Sequence, residues 1–342
     1  MTSLPLMYAG VFAVSLTLSI LLTPFARKIA MKYNFYDAPS DRKIHTKLTP
    51  YLGGISMYLA FIIGLISVLG FRHQLTSLVV AATFMVVLGL IDDKNGMHPK
   101  VKMFGQIVAA LVIINSGVRF TLLDNLWFDA PLTIFWIVGI TNAINFLDNM
   151  DGLSSGVSAI SATFMFLIAA RNGQFLVASL AVALAGVCIG FLRYNFSPAS
   201  IFMGDSGSMF LGFMLAATGV KLRLPTAGTL SGFIVPVLVL GLPILDTTLV
   251  TLQRYFNNRP VYQGGKDHCS HRLVALGLSH RQAVVLLYVV AATYGSCALF
   301  IDPTNVDMAA PILAAAIVFS LFLFVRLSTV PVYETVRRYD EW

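Results

Sequence analysis

Residues 174–192 read QFLVASLAVALAGVCIGFL, an uncharged stretch closed by Arg171 before it and Arg193 after it. At about 1.5 Å of helical rise per residue, such a run matches the ~30 Å hydrocarbon core of a bilayer. Working outward, comparable apolar runs lie near 4–24, 50–70, 75–91, 104–118, 131–146, 156–171, 208–220, 229–252, 284–301 and 308–328. The runs at 104 and 208 are short, so a count of ten stands as the alternative to eleven. Lipid offers no hydrogen-bond partners, so each span must satisfy its own backbone. The Gly, Pro and Met inside several runs suit helices better than alternating strands.

The whole chain agrees with this local reading. Its 342 residues are 57% hydrophobic and only 11% charged, with a mean hydropathy of +0.80, well outside the range of an average soluble domain. The expected fold is an all-α polytopic membrane protein, a bundle of about 11 (10–11) transmembrane helices. No internal repeat or linker divides the chain, so residues 1–342 are read as one domain. The first run lacks a basic leader and a small-residue cleavage site, and is read as a retained span. Cys188, Cys269 and Cys297 are scattered, which argues against a disulfide framework or a zinc site.

A net charge of +7 would suit nucleic acid if the basic residues shared one soluble face. They lie in short loops between spans instead, so no nucleic-acid partner is expected. With the N-terminus outside and eleven spans, eighteen of the twenty-three Lys and Arg fall in cytoplasmic segments, as the positive-inside rule favours. The same parity makes the C-terminus cytoplasmic. It also gathers the loops 25–49, 92–103, 145–155, 193–207 and 253–281 on the cytoplasmic face of the cell's inner (plasma) membrane. Only Lys and Arg set that orientation, yet acids and histidines converge on the same side.

Four segments there carry candidate chemistry. Asp92 and Asp93 follow directly on VVLGLI, and adjacent carboxylates at a membrane boundary need a cation or a proton. A helix-ending turn is the plain alternative. Asn145, Asp148 and Asp151 are spaced by three, so on a helical turn they share one face. Helix capping would account for one of those aspartates, and Ser154 is expected to cap the following helix. Asp205 is flanked by Gly204 and Gly207 ahead of a span, where backbone can approach a ligand and helix N-terminal amides favour anions; an N-cap is again the alternative.

Oxygen-rich ligation without cysteine suits Mg²⁺, with Mn²⁺ as an alternative, held by one or two protein oxygens plus phosphate and water. A phosphorylated substrate follows, and Lys47, Lys102, His268, His271 and Arg272 lie on the same side to neutralise it. Asp246, inside the apolar run LPILDTTLV, is expected to pair with a basic neighbour for structural reasons.

Together the segments TPYLGG (49–54), GLIDDKNG (89–96), TNAINFLDNMDGL (141–153), FMGDSGS (202–208) and DHCSHRLVALGLS (267–279), in this order, resemble the polyprenyl-phosphate N-acetylhexosamine-1-phosphate transferase family. The likeness is to its WecA/TagO-like branch, with the MraY branch more distant, and it runs from about residue 35 to 280. The resemblance implies a Mg²⁺-dependent enzyme of the cell envelope. A polyprenyl phosphate, undecaprenyl phosphate in many members, would attack the β-phosphate of a UDP-N-acetyl amino sugar, giving a polyprenyl-pyrophosphoryl sugar and UMP.

Carried onto matching positions, it implies that Asp92 and Asp93 deprotonate or orient the lipid phosphate. Asp205 would be the principal metal carboxylate, and Asn145 a second metal contact. Asp148 and Asp151 would serve the nucleotide side, Phe202 would stack on uracil, and Lys102 would contact phosphate.

Two departures stand out. Ser270 and Arg272 occupy positions that can be His in the HxHH form, and Gly96 stands where a third acid would complete DDxxD. GlcNAc is the expected sugar, with a phospho-MurNAc-pentapeptide donor as the alternative and a homodimer left open. A secondary transporter is the rival class, but it would set its acids near mid-membrane in broken helices or repeats.

Overall fold

The computed structural model describes residues 4–37, 48–69, 73–222, 229–262, 264–301 and 306–333. Among these, helices dominate. In chain order they are α1 (Leu4–Lys32), α2 (Gly53–Leu69), α3 (His73–Asn95), α4 (Pro99–Asn115), α5 (Leu126–Leu147), α6 (Leu153–Arg171), α7 (Phe175–Asn195) and α8 (Gly204–Lys221). The series continues with α9 (Thr229–Val239), α10 (Gly241–Phe256), α11 (Cys269–Ala275), α12 (His280–Phe300) and α13 (Val306–Ser328). The described strands, β1 (Tyr36–Asp37) and β2 (Thr49–Pro50), pair antiparallel.

Each apolar run read from the sequence falls on a helix, except that 229–252 falls on the pair α9 and α10, bent by 73°. By length and composition, seven described helices can cross a membrane, and the bent pair makes an eighth. The chain is thus a multi-pass, all-α membrane protein. The two short runs correspond to α4, with 17 residues, and α8, with 18.

α8 is the central pillar. From Ser206 to Val220 every side chain is buried, and α2, α3, α5, α6, α7 and α9 pack around it. Burial alone gives little reason for helices to associate in lipid, so close packing carries the assembly. Phe210 makes edge contacts with Tyr58 and Phe61 at ring separations of 5.6 and 5.5 Å. At the start of α2, a Cβ on Gly54 would sit 2.2 Å from the Gly207 backbone nitrogen. Only glycine lets α2 and α8 approach that closely, and the contact lies beside the segment that carries the acids.

Candidate active site

The end of the bundle where α3 and α5 finish and α4 and α8 begin assembles most of the residues singled out in the sequence. Lys102, in the first turn of α4, bridges two carboxylates. It pairs with Asp92 from the end of α3, and its Nζ donates to Asp205 Oδ2 at 3.0 Å. Asn145, in the last turn of α5, donates from Nδ2 to Asp205 Oδ1 at 2.5 Å and to Ser208 Oγ at 2.8 Å. Asp92 also accepts the Met97 backbone N–H at 2.6 Å, which holds the turn into α4. Four helices therefore meet on one carboxylate, Asp205, whose side chain keeps 32% of its surface exposed.

Asp93 is used differently from its neighbour. Its Oδ1 accepts the Asp205 N–H at 2.7 Å and its Oδ2 the Ser206 N–H at 3.1 Å. A carboxylate from α3 thus satisfies the first amides of α8, which have no partner within their own helix. Gly204, at φ +70°, makes the turn into α8, and a Cβ there would lie 2.7 Å from the Asp93 carboxylate.

The approach to α8 is laced to the N-terminal motif. Phe202 N–H donates to Pro50 O at 2.8 Å, Gly53 N–H to Phe202 O at 3.1 Å, and Gly54 N–H to Met203 O at 2.9 Å. The half-buried Phe202 thereby sits between TPYLGG and the Asp205 turn.

Asp148 ends α5. Burial pushes its carboxyl up to about 8, with the neighbouring charges of Asp205, Asp93 and Asp151 adding to the effect. Asp151 is engaged by its own surroundings, accepting the Ala199 N–H at 2.9 Å. The residue that starts α6 is Gly152, at φ +77°, with no side-chain cap. That corrects the expectation for Ser154, whose hydroxyl donates back to Ile144 O at 3.2 Å.

A residue the sequence reading passed over organises this turn. Asn195 Oδ1 accepts the Gly152 N–H at 3.2 Å and the Ser155 hydroxyl at 2.9 Å, while its Nδ2 donates to Ile201 O at 3.1 Å. A neutral amide at a helix end carries no charge signal, so only its position two residues after Arg193 could have drawn notice.

The histidine loop packs beside the α5–α6 turn. The His268 ring lies 6.2 Å from that of Phe146 and 6.0 Å from that of His271, and the Ser270 hydroxyl donates to Asn149 Oδ1 at 2.6 Å. Burial above all pulls His271 down to about 4, which keeps it a neutral imidazole at pH 7. Asp246 pairs with His268 at 2.7 Å, the basic partner expected for it.

Arg272 turns to backbone carbonyls rather than to the Asp205 cluster, which corrects the sequence expectation. It is 1% exposed. Its Nε donates to Asp267 O at 2.8 Å and its Nη1 to Leu327 O and Val330 O at 3.0 Å, so it fastens the end of α13 to the loop. Asp267 is held below the usual carboxylate range despite its burial, by Arg254 and by the Tyr333 hydroxyl. Lys47 lies outside the described residues.

Among the described residues no group of three or more His, Cys, Asp or Glu side chains is set to hold a metal ion. Asp205 and Asn145 supply hard oxygen donors, two from protein, which is the number Mg²⁺ commonly takes when phosphates complete its sphere. Ligation by Asn145 would use its amide oxygen, whereas here its Nδ2 faces Asp205.

Comparisons with known proteins now bear on this geometry. Residues 75–223, which hold nearly all of α3 to α8 and the Asp92, Asp93, Lys102, Asn145 and Asp205 cluster but not the histidine loop, match glycosyl transferase family 4. The chain is 35% identical to the probable undecaprenyl-phosphate N-acetylglucosaminyl 1-phosphate transferase of Bacillus subtilis, covering 92% of this chain and 89% of that protein. It is 33% identical to the decaprenyl-phosphate N-acetylglucosaminephosphotransferase of Mycolicibacterium smegmatis, over 89% of this chain and 85% of that one. A phospho-N-acetylmuramoyl-pentapeptide-transferase of Bacillus thuringiensis is 35% identical over a shorter region, 64% of this chain and 75% of its own.

Proposed function

The chain belongs to glycosyl transferase family 4, the polyprenyl-phosphate N-acetylhexosamine-1-phosphate transferases, and from that premise we propose that it transfers N-acetylglucosamine 1-phosphate from UDP-GlcNAc to a polyprenyl phosphate. A phosphate oxygen of the lipid attacks the β-phosphorus of the nucleotide sugar. The bond from that phosphorus to the bridging oxygen breaks, UMP departs with the electron pair, and the lipid carries a pyrophosphoryl sugar. The product begins assembly of a lipid-linked cell-envelope glycan.

One observation carries the reading: Lys102 and Asn145 converge on Asp205, with Asp92 on the same ammonium, at the ends of four helices. Phosphoryl transfer is catalysed mainly by positioning and charge stabilisation, and this cluster offers both. Lys102 is the cation for a phosphate, and Asp92 shares that cation, so it stands beside any phosphate bound there and can orient it or take its proton. Asp93 sets Asp205 by fixing the start of α8. A divalent cation, Mg²⁺ with Mn²⁺ as a substitute, would be held by Asp205 and Asn145 and would neutralise the pyrophosphate. Phe202 and Asp148 belong to the nucleotide side, with Asp151 supporting them through the loop it ties, and His268 and His271 to the sugar and phosphate side.

The site is assigned to the cytoplasmic face of the plasma membrane, with the N-terminus outside. The charge asymmetry of the loops supports this, as does the chemistry: one substrate is a soluble nucleotide and the other cannot leave the lipid. The rival transporter reading would put the acids in mid-membrane, whereas these stand at helix ends.

The likeness to phospho-N-acetylmuramoyl-pentapeptide-transferases favours a second reading, with a different donor sugar. Purified protein incubated with undecaprenyl phosphate, Mg²⁺ and, in parallel, labelled UDP-GlcNAc, UDP-GalNAc or UDP-MurNAc-pentapeptide separates them. Label is expected in the organic-extractable lipid from UDP-GlcNAc. Transfer from the pentapeptide donor alone would select the second reading.

A further inference from the structure

Asp246 is 0% exposed within α10, in a segment where an unpaired carboxylate is costly. Both of its oxygens are committed to the histidine loop. Oδ1 accepts the Cys269 N–H at 2.7 Å, and Oδ2 lies 2.7 Å from His268 Nδ1. An ionised carboxylate only accepts, so the imidazole proton must sit on Nδ1. Ring orientation and tautomer are then set together. Among the described residues, His268 Nε2 makes no hydrogen bond, which leaves it as the one polar atom of the ring that the fold does not use.

The rest of the loop is fastened independently. Ser270 bonds Asn149, Asp267 takes two hydrogen bonds from Arg254 at 2.8 and 2.7 Å, and Arg272 grips Asp267 O. Holding the loop therefore does not require a histidine at 268. The Asp246 contact adds something the other fastenings do not, a defined imidazole beside Phe146, the residue after Asn145.

We propose that Asp246 is a positioning residue for the transferase reaction, acting through His268 by holding its proton on Nδ1 so that Nε2 is presented to the phosphate-bearing substrates. This rests on the transferase reading. Asparagine at 246 has one acceptor and one donor end. If its oxygen keeps the Cys269 N–H, its amide faces Nδ1 and drives the proton to Nε2, the wrong tautomer.

The test is a double-mutant cycle with Asp246→Asn and His268→Asn, the latter retaining a donor toward Asp246 while lacking the Nε2 position. Thermal unfolding of each purified variant and the imidazole nitrogen shifts of histidine-labelled protein are measured alongside. Asp246→Asn is expected to lower kcat by roughly 10- to 100-fold, taking as guide the range carried by carboxylates that orient metal-ligating histidines. KM for UDP-GlcNAc should change little, and the substitution should cost nothing further in the His268→Asn background. An equal loss in both backgrounds, or turnover within twofold of the parent, overturns the proposal. So does a wild-type His268 whose Nδ1 carries no proton, a readout that needs neither activity nor a folded variant. If the wild type moves no sugar from any donor, the transferase reading fails, while the nitrogen shifts still decide how Asp246 holds the ring.

Discussion

At the scale of single residues, Asp205 is the point on which α3, α4 and α5 converge through Asp93, Lys102 and Asn145. Asp205→Asn keeps the shape and removes the charge, so transfer should fall by about 10²-fold or more with an unchanged unfolding midpoint; near-normal turnover would refute the role. Asp148 permits a pH prediction. Its folded-state value of about 8 lies above the ~3.9 of an unfolded carboxyl, so between these the folded protein binds more protons than the unfolded chain. Stability should therefore fall as pH rises from about 4 to 8 in chelator-treated protein, and Asp148→Asn should flatten that slope in thermal-unfolding scans. Asp92, Lys102 and Asp205 were legible in the sequence because the parity set by Lys and Arg gathered their loops on one side of the membrane. Arg272 was misjudged for a physical reason: a guanidinium in a loop reads the same whether it meets solvent or three buried carbonyls.

Among the elements, the start of α8 does the most to hold the site, and its amides are capped by Asp93 from another helix. Asp93→Asn should therefore lower stability by about 1 kcal/mol, as for other lost caps, together with transfer; denaturant titration beside the activity assay checks both. Loss of turnover at full stability would instead mark Asp93 as a reacting group. Gly54→Ala forces α2 away from the same turn and should cost about 1–3 kcal/mol as overpacking, read from the same titration. The helices themselves were legible, since every apolar run but 229–252 recurs as a single one. The 73° break between α9 and α10 was not, because hydropathy runs unbroken through Leu240 and Gly241. Nor was the zipper of TPYLGG onto Phe202 and Met203, which is made by backbone groups that any sequence carries.

For the whole molecule, the claim is a bundle that presents one polar mouth to the compartment holding nucleotide sugar while its sides meet lipid. Exposed apolar side chains such as Phe135, Val318 and Phe322 are the surface such a bundle turns to lipid. In oriented vesicles, Lys100→Cys should react with a membrane-impermeant maleimide from the cytoplasmic side and Leu123→Cys from the other; the opposite pattern would reverse the topology, and labelling of both from one side would remove the span between them. The most direct test of the central claim follows the β-phosphorus itself. With UDP-GlcNAc radiolabelled at that atom, polyprenyl phosphate and Mg²⁺, the account predicts label in the lipid fraction and UMP as the nucleotide product, both lost with Asp205→Asn. Release of labelled UDP, with sugar but no phosphorus reaching the lipid, would contradict it.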